Sequence, residues 1–184
     1  MSWFTETIRR ENSTVPSTIV ETGTFHGDGV MDYLNFFQKI YSIELNEDYY
    51  KEAVQKFRMC PHVKLIHGDS ATELAKMDFG PDPVLFYLDA HFCGGTSAGG
   101  CGTDSPLLKE LDAIMARQVK GDIIIIDDMR LMGKSQWEGT EGHHLWPRTW
   151  LDWSSVTEND IINHLKDAQL IKMCQDKDRL FVLL

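Results

Sequence analysis

Positive charge is scarce in this chain: 18 Lys and Arg stand against 28 Asp and Glu, a formal net charge of −10. Nucleic-acid phosphates call for clustered Lys and Arg, so a nucleic-acid partner is not expected. Long hydrophobic runs are missing too; no stretch could span a bilayer, and no membrane partner is expected. The opening MSWFTETIRREN lacks the basic-then-apolar form of a secretory signal. The four cysteines, Cys60, Cys93, Cys101 and Cys174, form no C-x-x-C pair. Free thiols in a reducing cytoplasm are therefore expected, and with them a cytoplasmic location. Two phosphate-binding fingerprints are also absent. No G-x-G-x-x-G follows a strand, and no glycine loop ends in Gly-Lys-Ser/Thr. No repeat, low-complexity tract or linker divides the 184 residues, which read as one domain over 1–184.

What is present centres on residues 19–29, IVETGTFHGDG. Thr18, Ile19 and Val20 are β-branched and open as a strand. An acid and three glycines follow: Glu21, Gly23, Gly27 and Gly29. Val30, Tyr33, Leu34 and Phe37 then recur at helical spacing. Strand, glycine turn and helix open a nucleotide-binding α/β unit, although an ordinary tight turn has the same outline. Glu21 would repel a pyrophosphate and suits a cationic or amine-bearing ligand.

The second strand, 39–45, carries Glu44, which lies 21 positions after Gly23. An acid about 20 residues beyond the glycine turn accepts hydrogen bonds from ribose hydroxyls in βαβ folds. A carboxylate suits that task because it only accepts and can take two donors. Asn46 caps the next helix, with Tyr50, Ala53, Val54 and Phe57 on its buried side. The third strand, 63–67, leads to Asp69 and Ser70, either of which caps a helix over 71–77. The fourth strand, 84–88, is apolar throughout, as a central strand covered on both faces should be. It ends in Asp89-Ala90-His91. A glycine-rich stretch, 93–104, reads as a lid or ligand-contacting loop before a helix opened by Ser105-Pro106. The fifth strand, 122–126, holds four isoleucines and ends in Asp127-Asp128. Residues 129–155 read as a long polar segment, 157–168 as a helix, and 170–174 with 179–184 as an antiparallel hairpin. Residues 2–10 read as a short amphipathic helix.

The glycine turn with its leading acid resembles the first motif of class I S-adenosylmethionine-dependent methyltransferases. The series ETGT…GDG…SIEL…GDS…LDAH…IDD extends the resemblance over about residues 18–130. It implies a doubly wound, Rossmann-like α/β fold with a seven-stranded, mostly parallel sheet and a C-terminal antiparallel hairpin. It also implies a cofactor site. Glu21, Thr22, Gly23, Thr24, Gly27, Asp28 and Asp89 would line the methionine end, Glu44 and Leu45 the ribose, and Asp69 and Ser70 the adenine. The implied activity is methyl transfer from S-adenosyl-L-methionine to a small-molecule substrate.

Asp89, Asp127 and Asp128 fall at the ends of neighbouring strands, where three carboxylates repel unless a cation joins them. Mg²⁺ fits such oxygen ligands. The trio also resembles the metal site of catechol-type and macrolide-sugar O-methyltransferases. That resemblance implies metal-assisted transfer to a hydroxylated molecule or a sugar, with Asp89 in the catalytic set, to which His91 adds a candidate of this chain's own. Those enzymes often carry a lysine where this chain has His91-Phe92. His91 is either a general base or a partner for the loop backbone. A zinc site from His91, Cys93 and Cys101 fits no common spacing. His143 and His144 either line the substrate pocket or lie on the surface, and Trp137, Trp146, Trp150 and Trp153 either wall a pocket or cover the sheet edge. A cofactor-binding protein without turnover is the competing reading. A nicotinamide-dependent oxidoreductase is disfavoured by the glycine spacing and by the lack of a Tyr-x-x-x-Lys pair.

Overall fold

The computed structural model describes residues 15–92, 105–138, 149–166, 172–176 and 178–184. The expected N-terminal helix, the glycine-rich stretch 93–104, and His143, His144 and Trp146 lie outside the described residues.

Five strands run parallel: β1 (Thr18–Thr22), β2 (Lys39–Glu44), β3 (Val63–His67), β4 (Val84–Leu88) and β5 (Ile123–Ile126). Helices alternate with them: α1 (Asp28–Tyr33), α2 (Glu47–Lys56), α3 (Ser70–Leu74), α4 (Leu107–Met115) and, near the C-terminus, α5 (Glu158–Leu165). The hairpin β8 (Lys172–Asp176) and β9 (Arg179–Leu183) adds to β5 through an antiparallel β5–β9 pairing. The resulting order is β3-β2-β1-β4-β5-β9-β8. A separate antiparallel pair, β6 (Ser135–Glu138) and β7 (Thr149–Asp152), arises in what reads from sequence as a long polar segment.

The apolar runs of the central strands follow from this layering. Ile19, Leu85, Ile123 and Ile125 face one core with Val30, Phe37, Ala53 and Phe57 of the α1–α2 side. Val20, Phe86, Ile124 and Ile126 face the other core with Leu111, Ile114 and Ile161 of the α4–α5 side. A strand covered on both faces has no polar alternation to show, and each isoleucine so buried contributes about 1.5–3 kcal/mol. The helices are shorter than their apolar periodicity suggests. α1 stops at Tyr33, yet Phe37 still packs into the core from the turn beyond it. Val54 is exposed rather than buried, because α2 turns only Ala53 and, at its C-cap, Phe57 fully inward.

Strand order reverses direction of growth between β1 and β4. That switch point opens a crevice at the carboxyl ends, where ligands of open α/β sheets bind. Hydrogen bonds tie the four relevant ends together there. Gly23 N donates to Ile43 O, Asp89 N to Thr22 O, and Asp127 N to Leu88 O.

Candidate functional site

The glycine turn is held open by backbone conformation. Gly23 and Gly27 have φ of +84° and +74°, in the left-handed region that favours glycine. A Cβ on Gly23 would lie 2.6 Å from the carbonyl oxygen of Asp89, so the β1 turn lies directly against the end of β4. Phe25 adopts φ +47° without being glycine. Its N–H donates to Glu44 Oε2 at 2.8 Å, and its ring packs on Tyr49 with centroids 4.6 Å apart. These contacts offset a conformation that costs of order 1 kcal/mol for a bulky side chain.

Glu44 ends β2 almost wholly buried. Its second oxygen accepts from Asn46 N at 2.7 Å, while Asn46 itself caps α2 through bonds from Asp48 N and Tyr49 N. Each carboxylate oxygen therefore takes one backbone donor and retains acceptor capacity for a second. That is the arrangement a vicinal diol requires: an acceptor-only group, fixed in orientation before the ligand arrives. Leu45 follows at the edge, partly exposed, its carbonyl oxygen 3.1 Å from His67 Nε2.

Asp69 caps α3, its Oδ1 accepting from Thr72 N and Oγ1, so the capping role is realised. Ser70 is buried and its hydroxyl lies beside the carboxyl of Glu110. Thr22 is likewise fully buried, where its Oγ1 accepts from Asp89 N at 3.2 Å and joins the β1 end to β4. Thr24 Oγ1 and Ser42 Oγ share a 2.6 Å hydrogen bond. Asp28 is exposed and pairs with Lys56 at 3.3 Å.

A cleft of about 270 Å³ lies between α1 and the ends of β1, β4 and β5. Glu21 and Asp89 contribute carboxylates to it, with Gly23 and Phe25 from the glycine turn. Glu21 is buried, and that burial pushes its carboxyl up to about 8; the Ser42 hydroxyl, donating at 2.6 Å, opposes the rise, and the charge of Asp89 adds to it. Burial likewise pushes Asp89 up to about 7, against the lowering influence of His91 and with the charges of Asp127 and Asp128. The folded form of Glu21 thus holds a proton that the unfolded chain, at 4.5, has released. The stability this proton confers is full below about 4.5 and is lost as pH rises through about 8. Each tenfold change in proton affinity is worth about 1.4 kcal/mol. Glu21→Gln removes the titration. Between pH 6 and 9 its Tm should fall several degrees less than that of the wild type in scanning calorimetry. Parallel pH profiles would refute the assignment.

Asp89, Asp127 and Asp128 do not close on one point. The sets of ligating atoms lying within 4.8 Å of one another, among the described residues, are Asp89–His91–Asp128 and Asp127–Asp128–Asp178. Asp128, at φ +56°, belongs to both sets, whereas Asp89 and Asp127 share none. Asp127 Oδ2 accepts from Arg179 Nε and Nη2 at 3.1 and 3.0 Å and from the Tyr87 hydroxyl, and its Oδ1 accepts from Asp128 N. Asp128 binds His91 Nε2 at 2.8 Å and the Arg130 guanidinium, which also reaches Asp178. The positive charge that the carboxylates call for is supplied by Arg179, Arg130 and His91. The donor set expected for Mg²⁺ is committed to these side chains and does not fit an ion held by all three aspartates.

His91 is clamped, with Nδ1 3.3 Å from Asp89 Oδ1, Nε2 on Asp128, and its ring edge-on to Trp153 at 4.9 Å. Burial opposes protonation of His91, but the hydrogen bond to Asp128 and the neighbouring carboxylates raise its pKa. Burial works against ionisation of Asp128 as well, yet His91 and Arg130 hold its carboxyl at about 2. Sequence alone gives no sign of Tyr87, Arg130, Asp178 or Arg179 at this edge. Arg179 lies 52 residues from Asp127, and only the hairpin's antiparallel return brings them together. The Trp137 and Trp150 rings pair across β6 and β7, exposed, while Trp153 alone of the three turns inward to His91. No helix of the described residues is long and apolar enough to cross a membrane.

No family model and no curated protein matches the sequence. Solved structures match it through the fold. The chain is similar to the S-adenosylhomocysteine-bound methyltransferase PaMTH1 of Podospora anserina, with 16% identity and a TM-score of 0.64 over 98% of this chain and 76% of that one. It is similar to a Staphylococcus aureus protein provisionally assigned as a caffeoyl-CoA O-methyltransferase, with 15% identity and a TM-score of 0.61 over 97% and 79% of the two chains. A third match is the N-methyltransferase NodS of Bradyrhizobium japonicum in complex with S-adenosylhomocysteine, with 11% identity and a TM-score of 0.54 over 97% and 82%. At these identities the likeness establishes the α/β, Rossmann-like fold of methyltransferases, with its mostly parallel sheet.

Proposed function

We propose that this protein is an S-adenosylmethionine-dependent methyltransferase acting on a small molecule. The observation that carries this reading is Glu44, buried at the end of β2 and oriented by Phe25 N and Asn46 N beside a left-handed glycine turn. Two of the fold neighbours were solved with S-adenosylhomocysteine, which supports the same cofactor here. Glu44 would hold the ribose hydroxyls, Leu45 and the Asp69 turn would border the adenine, and Gly23, Gly27 and Glu21 would border the methionine end. When bound, the cofactor supplies an electrophilic methyl group on sulfur.

This chain's residues would then position the acceptor and take its proton. Asp89 lines the cleft, and burial raises its carboxyl to about 7, close to the value a general base needs at neutral pH. His91, clamped between Asp89 and Asp128, orients that carboxylate rather than acting as the base. The acceptor is proposed to be an oxygen of a small hydroxylated compound or a sugar. Asp89 would take the proton that this oxygen gives up on methylation. The proton transfer proposed here uses Asp89, while Arg179 and Arg130 pair with Asp127 and Asp128.

Calorimetric titration with S-adenosylhomocysteine tests the reading. Micromolar binding is expected, equal in EDTA and in millimolar Mg²⁺. An absence of binding would defeat the cofactor assignment. Binding seen only with Mg²⁺ would restore a metal to the mechanism.

A further inference from the structure

The cleft has an electrostatic asymmetry that the cofactor reading leaves unused. Among the described residues that line it, five are carboxylic acids and Arg179 is the one cation. Arg179 opens β9, and β9 adjoins β5, so its guanidinium enters from the side of the switch point opposite to Glu44. Its place is fixed. Nε donates to the Tyr87 hydroxyl and to Asp127 Oδ2, both at 3.1 Å, and the side chain is a quarter exposed.

A ligand whose ribose sits on Glu44 must cross Gly23 to enter this cleft, and it arrives with the end remote from the ribose. In S-adenosylmethionine that end is an amino acid. Its ammonium suits a wall bearing the carboxyl groups of Glu21 and Asp89, and the cation offered to its carboxylate by the described lining is Arg179. A guanidinium presents paired donors in one plane and matches a carboxylate. The geometry points to Arg179 as the residue that receives the carboxylate of the cofactor's amino-acid end, an inference that rests on the methyltransferase reading above. It gives the C-terminal hairpin a direct part in cofactor selection: adenosine compounds without the carboxylate gain nothing from Arg179.

The test compares S-adenosylmethionine with decarboxylated S-adenosylmethionine, which differs only in the missing carboxylate. Both are titrated into wild type, Arg179→Gln and Arg179→Lys. Wild type should favour the carboxylate-bearing ligand by about 10–100-fold, the range of one charge-assisted contact. Arg179→Gln should abolish that preference while leaving the decarboxylated ligand within about twofold of its wild-type affinity. Arg179→Lys should recover part of the preference, and it carries the test if the glutamine variant fails to fold. A preference that survives in Arg179→Gln, or equal weakening of both ligands, overturns the inference while the methyltransferase reading stands. If wild type binds neither ligand, both fall together.

Discussion

Glu44→Ala should weaken S-adenosylhomocysteine binding by at least about 100-fold, the largest functional effect expected of any single side chain here. Each hydrogen bond to a charged acceptor is worth about 1.5–3 kcal/mol, and the ribose diol makes two. The substitution also releases Phe25 N and Asn46 N, which lie 2.8 and 2.7 Å from the carboxylate. Part of the loss would therefore come through a loosened glycine turn. Glu44→Gln separates the two contributions, since its amide oxygen keeps one backbone donor while the charge is gone. An intermediate loss in Glu44→Gln is the expected result, read by calorimetry on protein whose unfolding transition has been checked. Wild-type affinity in Glu44→Ala would remove the ribose role and with it the strongest support for the cofactor.

Gly23→Ala should produce the largest loss of stability. The residue combines φ of +84° with a Cβ position 2.6 Å from the backbone carbonyl oxygen of Asp89. A side chain cannot swing aside from a backbone atom, so β1 and β4 must move apart at the site. The expected cost is about 3 kcal/mol, from left-handed strain plus overpacking. For a chain of this length that corresponds to a Tm lower by roughly 6–12 °C. Gly80→Ala is the matching control. Gly80 has φ of +69°, but nothing lies within 4 Å of its Cβ position. Strain alone should cost it only about 1 kcal/mol. Equal losses at the two positions would show that the close approach of β1 to β4 does not matter.

Local pattern made most of the frame legible. Residues 84–88 and 123–126 are apolar without interruption because both faces of their strands are covered. Asn46 and Asp69 announce helices because their side chains satisfy the first backbone N–H groups. Glu44 could be picked out because a βαβ unit has a characteristic length. Residues 135–138 and 149–152 are illegible as paired strands. Their exposed cross-strand pair, Trp137 with Trp150, leaves no hydrophobic alternation facing a core.

The electrostatics of the site could not be read in the same way. Acids at strand ends are visible in order along the chain, but the charges that balance them are not. Arg179 reaches Asp127 only because β9 returns antiparallel to β5, and Arg130 reaches Asp128 only because the chain turns left-handed there. Counting carboxylates without these two partners leads to a metal. Ser70 and Thr22 show the same limit on a smaller scale. Their positions in the motifs predict the crevice, but burial turns their hydroxyls toward Glu110 and Asp89 N.

The central claim is that the carboxyl edge of β1, β2 and β4 is an S-adenosylmethionine site. A crystal structure of the protein grown with S-adenosylhomocysteine tests it most directly. The account predicts both ribose hydroxyls on Glu44, the thioether beside Gly23 and Asp89, and the amino-acid carboxylate on Arg179. Density for the ligand anywhere else, or a ribose turned away from Glu44, would contradict it.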